Sequence, residues 1–82
     1  MNMLIGILEV KAQDDYKLQL TFSNGRKGIF DVKPYLDKGI FKELQNPAVF
    51  KTVRISEYPT IEWANGADLC PDCVYAETNF IS

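Results

Sequence analysis

The chain is organised around Ile61-Glu62-Trp63-Ala64-Asn65-Gly66-Ala67-Asp68-Leu69-Cys70-Pro71-Asp72-Cys73-Val74-Tyr75. This stretch contains the only tryptophan and both cysteines of the 82-residue sequence. Asn65-Gly66 is a turn signal that ends a strand, and Pro71 fits the first position of a helix, with Asp68 or Cys70 just before it. The stretch therefore predicts a strand, a turn and a short helix, in that order.

Length and composition predict a single small globular domain over residues 1–82. Of the 82 residues, 46% are hydrophobic, and they include five Phe, four Tyr and one Trp, which is enough for one core. Because so short a domain needs each large side chain for that core, we expect Trp63 to be buried rather than to form an exposed recognition surface. Residues 78–82 are expected to form a loosely held tail, unless Phe80-Ile81 anchors it.

The N-terminal residues and the charge distribution bear on location and partners. Met1–Leu8 has no basic residue, and its apolar run ends at Glu9, so we expect neither a signal peptide nor a transmembrane span and take the cytosol as the default. All nine basic residues lie between Lys11 and Arg54, whereas residues 55–82 contain five of the eleven acids and no base. This distribution fits either a charged partner or two solvated faces, and the second interpretation is the simpler one.

Hydrophobic alternation predicts about five strands. They are Leu4–Lys11, Tyr16–Phe22, a strand that ends at Asp31, Thr52–Glu57 and Thr60–Trp63. The first strand has Leu8 and Val10 on one face, and a polar turn at Ala12–Asp15 follows it. The last two strands are expected to pair as a hairpin across Tyr58-Pro59, because proline favours extended geometry in the residue before it.

Two hairpin registers fit the turn Ser23-Asn24-Gly25. A two-residue Asn-Gly turn places Leu20 opposite Ile29, whereas a three-residue loop with a left-handed Gly25 places Leu20 opposite Gly28. A shift of one residue reverses the faces of a strand, so the hydrophobic pattern discriminates between the two registers. We favour the second register because it gathers one set of residues on a single face, namely Leu18, Leu20, Gly28, Phe30 and Val32.

Proline and glycine positions predict short helices after the third strand and near the C-terminal end. Pro34 fits a helix start and Gly39 a helix stop, and Ile40–Leu44 is expected to add one helical turn at most. Asn46-Pro47 is an N-cap followed by proline, and a terminal helix is expected from Pro71 to about Ala76. Helices this short persist only by packing on a sheet, so we predict an α+β fold with an antiparallel sheet of about five strands.

Cys70-Pro71-Asp72-Cys73 is the motif with candidate chemistry, and three interpretations fit it. A redox pair needs an activated thiol at a helix start, but Asp72 disfavours a thiolate and the apolar neighbours Leu69 and Val74 suggest burial. A structural zinc site needs four ligands, so this pair would require a second chain. We favour two small side chains, Cys70 and Cys73, that fill space in the core. No cofactor or metal is therefore expected.

Histidine and a glycine-rich phosphate loop are both missing from the sequence, which excludes histidine-based catalytic triads and the common nucleotide sites. We therefore expect no enzymatic activity. Asp31 and Asp68 are the best-placed acids, each at a strand-to-helix junction, where aspartate most often caps backbone N–H groups. Arg26 and Lys27 at a hairpin tip favour nucleic-acid binding only weakly, because the net charge is −2.

These motifs occur in an ordered set along almost the whole chain. The set comprises Leu18-x-Leu20-x-Phe22-Ser-Asn24-Gly25, Phe30-Asp31, Pro34-Tyr35-Leu36, Gly39-x-Phe41-x-x-Leu44, Phe50 and Ile61-x-Trp63-x-Asn65-Gly66-x-Asp68-Leu69-Cys70-Pro71-Asp72-x-x-Tyr75. In order and spacing it resembles the bacterial DUF2442 family. The resemblance implies a compact α+β fold with a curved antiparallel sheet, no established activity, and a regulatory or toxin–antitoxin-like partnership.

The sequence favours a non-catalytic protein-interaction or regulatory module of the bacterial cytosol. Its signature residues are expected to be Trp63, Asp68, Cys70, Pro71, Tyr75 and Asp31. One alternative is a thiol redox or metal-binding protein that uses Cys70 and Cys73, and another is an accessory nucleic-acid-binding protein. A homodimer through the free edge of Leu4–Val10 is a further expectation. A cleft that gathers Asp31, Asp68 and Tyr75 would point to a site.

Overall fold

A computed structural model describes residues 5–81, which form six short strands and two α-helices. The strands are β1 Ile7–Gln13, β2 Lys17–Phe22, β3 Lys27–Asp31, β4 Arg54–Ile55, β5 Ile61–Glu62 and β6 Asn79–Phe80. The helices are α1 Pro47–Phe50 and α2 Pro71–Glu77, and 3₁₀ segments cover Asp14–Tyr16, Lys33–Tyr35 and Gly39–Gln45. Among the described residues there is no helix with the length and apolar character needed to cross a membrane.

The strands form two antiparallel sheets, and the α+β expectation is confirmed. One sheet has four strands in the order β1-β2-β3-β6, and the other consists of β4 and β5. The hairpin predicted across Tyr58-Pro59 is present, with Ile55 opposite Ile61, but it is shorter than expected. The single sheet of about five strands is therefore replaced by a sheet of four and a sheet of two.

The β2–β3 hairpin has the three-residue loop that the hydrophobic pattern favoured. Leu20 lies opposite Gly28 and Leu18 opposite Phe30, and Gly25 has a φ of 86°. The N–H of Phe22 donates to the Arg26 carbonyl at 2.9 Å, which closes the loop. The register therefore follows from the burial of one face, as expected for a half-buried strand pair.

The first strand corrects two expectations. The pairing between Ile7 and Glu9 is irregular, because Leu8 is an extra residue that has no partner on β2. Leu8 is 56% exposed while Val10 packs against the core, although the alternation placed the two residues on one face. The predicted turn at Ala12–Asp15 starts too early, since β1 continues through Gln13. Leu4 lies outside the described residues, and self-association through this edge stays a prediction.

The helical segments follow the predicted starts more closely than the predicted lengths. Asn46 caps α1 through a hydrogen bond that its side chain accepts from the Ala48 N–H at 3.0 Å, as predicted. The predicted terminal helix is confirmed as α2. The expectation of one turn at most over Ile40–Leu44 is wrong, because a 3₁₀ segment covers seven residues, Gly39–Gln45.

The C-terminal residues form a strand where a loosely held tail was predicted. β6 pairs with β3, with Phe80 opposite Gly28 and Asn79 opposite Ile29. The N–H of Ile81 donates to the Lys27 carbonyl at 2.9 Å, so the pairing with β3 extends to Ile81. The anchor that we considered for Phe80-Ile81 is therefore present, while Ser82 lies outside the described residues.

The core lies between the four-stranded sheet and the segments that cross it. It is built from thirteen buried side chains: Ile7, Leu18, Leu20, Phe22, Phe30, Val32, Leu36, Leu44, Phe50, Ile61, Trp63, Ala67 and Val74. Trp63 is fully buried, as predicted, and its Nε1–H donates to the Phe50 carbonyl at 3.0 Å. This hydrogen bond joins the end of β5 to α1 across the core.

Candidate functional site

The turn between β4 and β5 holds an exposed aromatic side chain on a fixed backbone. Tyr58 is 83% exposed, although it lies only two residues before the buried Thr60. The N–H of Ser56 donates to the Thr60 carbonyl at 2.8 Å, and the N–H of Ile7 donates to the Pro59 carbonyl at 2.8 Å. The turn is thus tied to its own hairpin and to β1, which positions the Tyr58 ring in solvent.

One side of Tyr58 is an open, acid-lined depression of about 580 Å³. Its lining residues are Ser56, Glu57, Tyr58, Thr60, Glu62, Asp68, Leu69 and Cys70, which include three carboxylates and no basic side chain. Two of its lining residues are joined by a hydrogen bond, which the Thr60 hydroxyl donates to the Leu69 carbonyl. The Oγ of Ser56 is buried and has no hydrogen-bond partner among the described residues.

A smaller depression of about 300 Å³ lies on the other side of Tyr58 and is largely apolar. It is lined by Ile5, Gly6, Tyr58, Pro59, Pro71 and Asp72. A side chain at Gly6 would crowd this wall, because a Cβ there would lie 2.9 Å from the Pro59 Cγ. We call Tyr58 and the residues that line the two depressions the Tyr58 surface.

A basic residue beside the Tyr58 surface, Arg54, is paired with one of its acids. The Nε of Arg54 lies 3.2 Å from the Glu62 Oε1, where it donates a hydrogen bond. Arg54 does not line either depression. Glu57, Asp68 and Asp72 are exposed acids of the surface, so its charge remains negative after this pair is counted.

Both cysteines are exposed to solvent, which contradicts the prediction that they fill space in the core. Cys70 is the N-cap residue of α2 and Cys73 lies in the first turn, whereas the buried residue of this helix is Val74. A hydrogen bond between the two cysteine side chains raises the pKa of the Cys73 thiol, and the nearby charges of Glu77 and Asp72 add to the rise. Within residues 5–81, no group of three or more His, Cys, Asp or Glu side chains is arranged to hold a metal ion.

A comparison with protein families matched residues 7–79 to the family described as "Protein of unknown function (DUF2442)". The chain belongs to the DUF2442 family. Comparisons with curated proteins and with solved structures found no significant match. Membership confirms the resemblance seen in the sequence, but it assigns no ligand or reaction to this DUF2442 domain.

A cleft that gathers Asp31, Asp68 and Tyr75 would have pointed to a site, but these three residues are not brought together in this DUF2442 domain. Asp31 lies at the end of β3 and accepts a hydrogen bond from the Lys33 N–H at 3.0 Å, so its predicted capping role is confirmed. Asp68 forms an isolated bridge opposite Glu62, and the N-cap of α2 is Cys70, so Asp68 does not cap that helix. Among these three residues, Asp68 is the one that lines a depression of the Tyr58 surface.

Tyr75 joins α2 to the tip of the β2–β3 hairpin. Its hydroxyl accepts hydrogen bonds from the Asn24 Nδ2 at 3.1 Å and the Arg26 Nη1 at 3.4 Å. These bonds, first from Arg26 and then from Asn24, lower the pKa of the Tyr75 hydroxyl. Its ring also packs against Phe22 and Phe80, with centroids 5.0 and 4.8 Å apart. Tyr75 is therefore a structural clamp in this DUF2442 domain.

Sequence reasoning missed Tyr58, which was treated only as a turn residue. The available signal was an aromatic residue before proline, in a stretch that carries acids and no base. Turn residues lie at the surface, so a large aromatic side chain at such a position is expected to be exposed. By contrast, the buried Trp63 is excluded from the surface of this DUF2442 domain.

Ionisation of the Tyr35 hydroxyl is expected to lower the stability of the domain in strong base. Burial, followed by the hydrogen bonds that its hydroxyl donates to Glu77 at 2.9 Å, raises the pKa of Tyr35 to about 12. A tyrosine in the unfolded chain has a pKa of about 10, so this group stabilises the fold fully below that pH and loses its contribution as the pH approaches about 12.

The test for Tyr35 is an absorbance titration of tyrosinate on the natural chain and the Tyr35→Phe variant. We expect the late titration step to be missing from the variant. When the pH is raised from neutral to strongly basic, the midpoint of urea unfolding should fall less in the variant than in the natural chain. Comparing the two proteins removes the contribution of the lysines, which titrate in the same range. A titration curve with the same late step in both proteins would contradict the assignment.

Proposed function

We propose that this chain is a non-catalytic protein-interaction module that binds a cationic segment of a partner protein through the Tyr58 surface. The observation that carries the proposal is the 83% exposure of Tyr58 on a turn that is fixed by backbone hydrogen bonds. A domain this small has few large side chains for its core, so an aromatic ring held in water is costly to folding and useful for binding. We also propose that it acts in the bacterial cytosol.

Charge complementarity supports a cationic partner segment. Four acids line the two depressions, namely Glu57, Glu62, Asp68 and Asp72, and no basic side chain lines either one. If these acids served only to keep this face soluble, there would be no need for an exposed aromatic ring beside them. A lysine or arginine can stack its charged group on a tyrosine ring while carboxylates flank it, which combines two favourable interactions.

The composition of the surface supports a binding role rather than a catalytic one. The chain has no histidine, and Glu57, Asp68 and Asp72 are open to water. A carboxylate becomes an effective general base when burial or a neighbouring charge adjusts its pKa toward the working pH. Exposed carboxylates beside a fixed aromatic ring fit electrostatic steering and recognition better than proton transfer.

Replacing Tyr58 with alanine is expected to weaken binding of a lysine- and arginine-rich peptide about 30-fold, because truncating a central aromatic anchor costs about 2 kcal/mol or more. The measurement is an amide NMR titration of the isotope-labelled chain with this peptide and with a glutamate-rich peptide of the same length. For the basic peptide we expect shifts at residues 56–62 and 68–72, and affinity that falls with added salt.

The matched control is Ile40→Ala, which removes another exposed hydrophobic side chain outside the Tyr58 surface. It should bind the basic peptide as the natural chain does. Unchanged affinity in Tyr58→Ala, or shifts centred on the β2–β3 hairpin, would overturn the assignment of the surface. Stronger binding of the glutamate-rich peptide would overturn the proposed charge of the partner.

A further inference from the structure

The two thiols of Cys70-Pro71-Asp72-Cys73 are neighbours at the start of α2. Cys70 has an extended backbone, with φ −65° and ψ 133°, and its side chain makes no capping hydrogen bond. Residues three apart on a helix face each other with Cβ atoms about 5–6 Å apart, whereas a disulfide needs about 3.5–4.5 Å. Cys70 precedes the helix proper and has an extended backbone, so relative to that helical spacing a disulfide requires its Cβ to approach that of Cys73 by about 1–2 Å.

Nothing in the described part of the chain seals these thiols from reagents. Both cysteines are exposed, and Cys70 lies on the rim of the acid-lined depression. They lie three residues apart at the start of one helix, with Cys70 as its N-cap residue and Cys73 in its first turn. Two exposed thiols so close in the chain differ from the buried, inert cysteines that serve as small hydrophobic residues.

We propose that Cys70 and Cys73 form a reversible intrachain disulfide, with a low-molecular-weight disulfide such as oxidised glutathione as the oxidant. The Cys70 thiolate attacks one sulfur of the oxidant, so that a mixed disulfide forms and one small thiolate leaves. The Cys73 thiolate then attacks the Cys70 sulfur and displaces the second small thiolate. Two electrons pass from the cysteine pair to the oxidant, and the two thiol protons end on the two released thiolates.

Two acids lie close to the pair, since Asp72 is between the two cysteines and Glu77 is the last residue of α2. The neighbouring Cys70 thiol, and after it the charges of Glu77 and Asp72, raise the pKa of the Cys73 thiol. Because the thiolate is the attacking form, closure of the disulfide by Cys73 is expected to become faster as the pH rises. This inference is independent of the proposed partner of the Tyr58 surface.

The test is intact-mass spectrometry of the full chain after incubation with oxidised glutathione. We expect a monomer that has lost two hydrogens, no longer reacts with iodoacetamide and is restored by dithiothreitol. The same reaction in urea should shift the products toward chains that carry glutathione, because unfolding separates the two thiols. A folded chain that carries two glutathione molecules, or one that forms only disulfide-linked dimers, would overturn the proposal.

The single variants Cys70→Ser and Cys73→Ser separate the two thiols. Each should stop at one bound glutathione, since the second thiol needed for closure is gone. In each variant, the reaction of the remaining thiol with oxidised glutathione should become faster as the pH rises, because the thiolate is the reacting form. Equal mass products in the natural chain and both variants would contradict an intrachain disulfide, and circular dichroism confirms that each variant is folded.

Discussion

Replacing Trp63 with alanine is expected to remove a large share of the free energy of unfolding of the domain. Trp63 is fully buried, and its ring centroid lies 6.2 Å from that of Phe41 and 6.3 Å from that of Phe50. Truncating a buried tryptophan to alanine costs about 3–5 kcal/mol. A domain of 82 residues has a total stability of roughly 4–12 kcal/mol, so this loss removes a large share of it.

The measurement for Trp63 is urea unfolding followed by far-ultraviolet circular dichroism, because the variant lacks the only tryptophan for fluorescence. Trp63→Phe keeps a ring but removes the Nε1–H donor, so that the Phe50 carbonyl keeps only the long hydrogen bond from the Val53 N–H at 3.4 Å, and we expect a loss of about 1 kcal/mol for the hydrogen bond alone. Tyr58→Ala removes an exposed ring and should stay within about 0.5 kcal/mol of the natural chain. A similar unfolding midpoint in Trp63→Ala and Tyr58→Ala would contradict this account of the core.

The parts of the fold that were predicted correctly are those in which one local rule determines the outcome. The β2–β3 register follows from the alternation of Leu18 and Leu20, since the competing register would have placed Phe30 on the opposite, exposed face. The caps follow from Asn46 and Pro71, whose backbone preferences act within one turn. Neither result needed knowledge of distant contacts.

The parts that were missed depend on contacts between residues that are far apart in the sequence. The extra residue Leu8 occurs just after Ile7, whose N–H bonds to the Pro59 carbonyl, and nothing near Leu8 in the sequence indicates this contact. Strand β6 has two residues, too few for a hydrophobic pattern to form. β6 can pair with β3 because Gly28 has no side chain, and a Cβ at this position would collide with Thr78 and Asn79.

The candidate site was only partly visible in the sequence. The motif around Cys70 and Cys73 was recognised, but the apolar neighbours Leu69 and Val74 suggested burial. A seven-residue helix such as α2 packs a narrow face, and here that face fully buries Val74 and leaves the cysteines in solvent. The exposure of Tyr58 depends in turn on how the β4–β5 turn meets β1, which no local rule specifies.

Replacing Gly28 with alanine is expected to detach β6 and to cost about 1–3 kcal/mol, as overpacking of a tight site does. A Cβ at Gly28 would lie 2.4 Å from the Thr78 Cγ2 and 2.7 Å from the Asn79 carbonyl oxygen, both closer than the 3.0 Å that real Cβ contacts keep. The second neighbour is backbone and cannot rotate away, so the strand itself has to move. Phe80, which pairs with Gly28, would move with it.

The detachment of β6 is measured by hydrogen exchange at the Ile81 amide, which donates to the Lys27 carbonyl in the paired strand. We expect this amide to lose protection in Gly28→Ala, while the amides between β1 and β2 keep most of theirs, because local opening precedes global unfolding. Adding Thr78→Ser removes the nearer clash and keeps the hydroxyl that donates to the Val74 carbonyl at 2.6 Å. The double variant should remain destabilised, because the Asn79 oxygen is still too close. Full recovery of stability in the double variant would show that the side chain of Thr78 is the sole obstacle, and that the backbone of β6 has room for a Cβ.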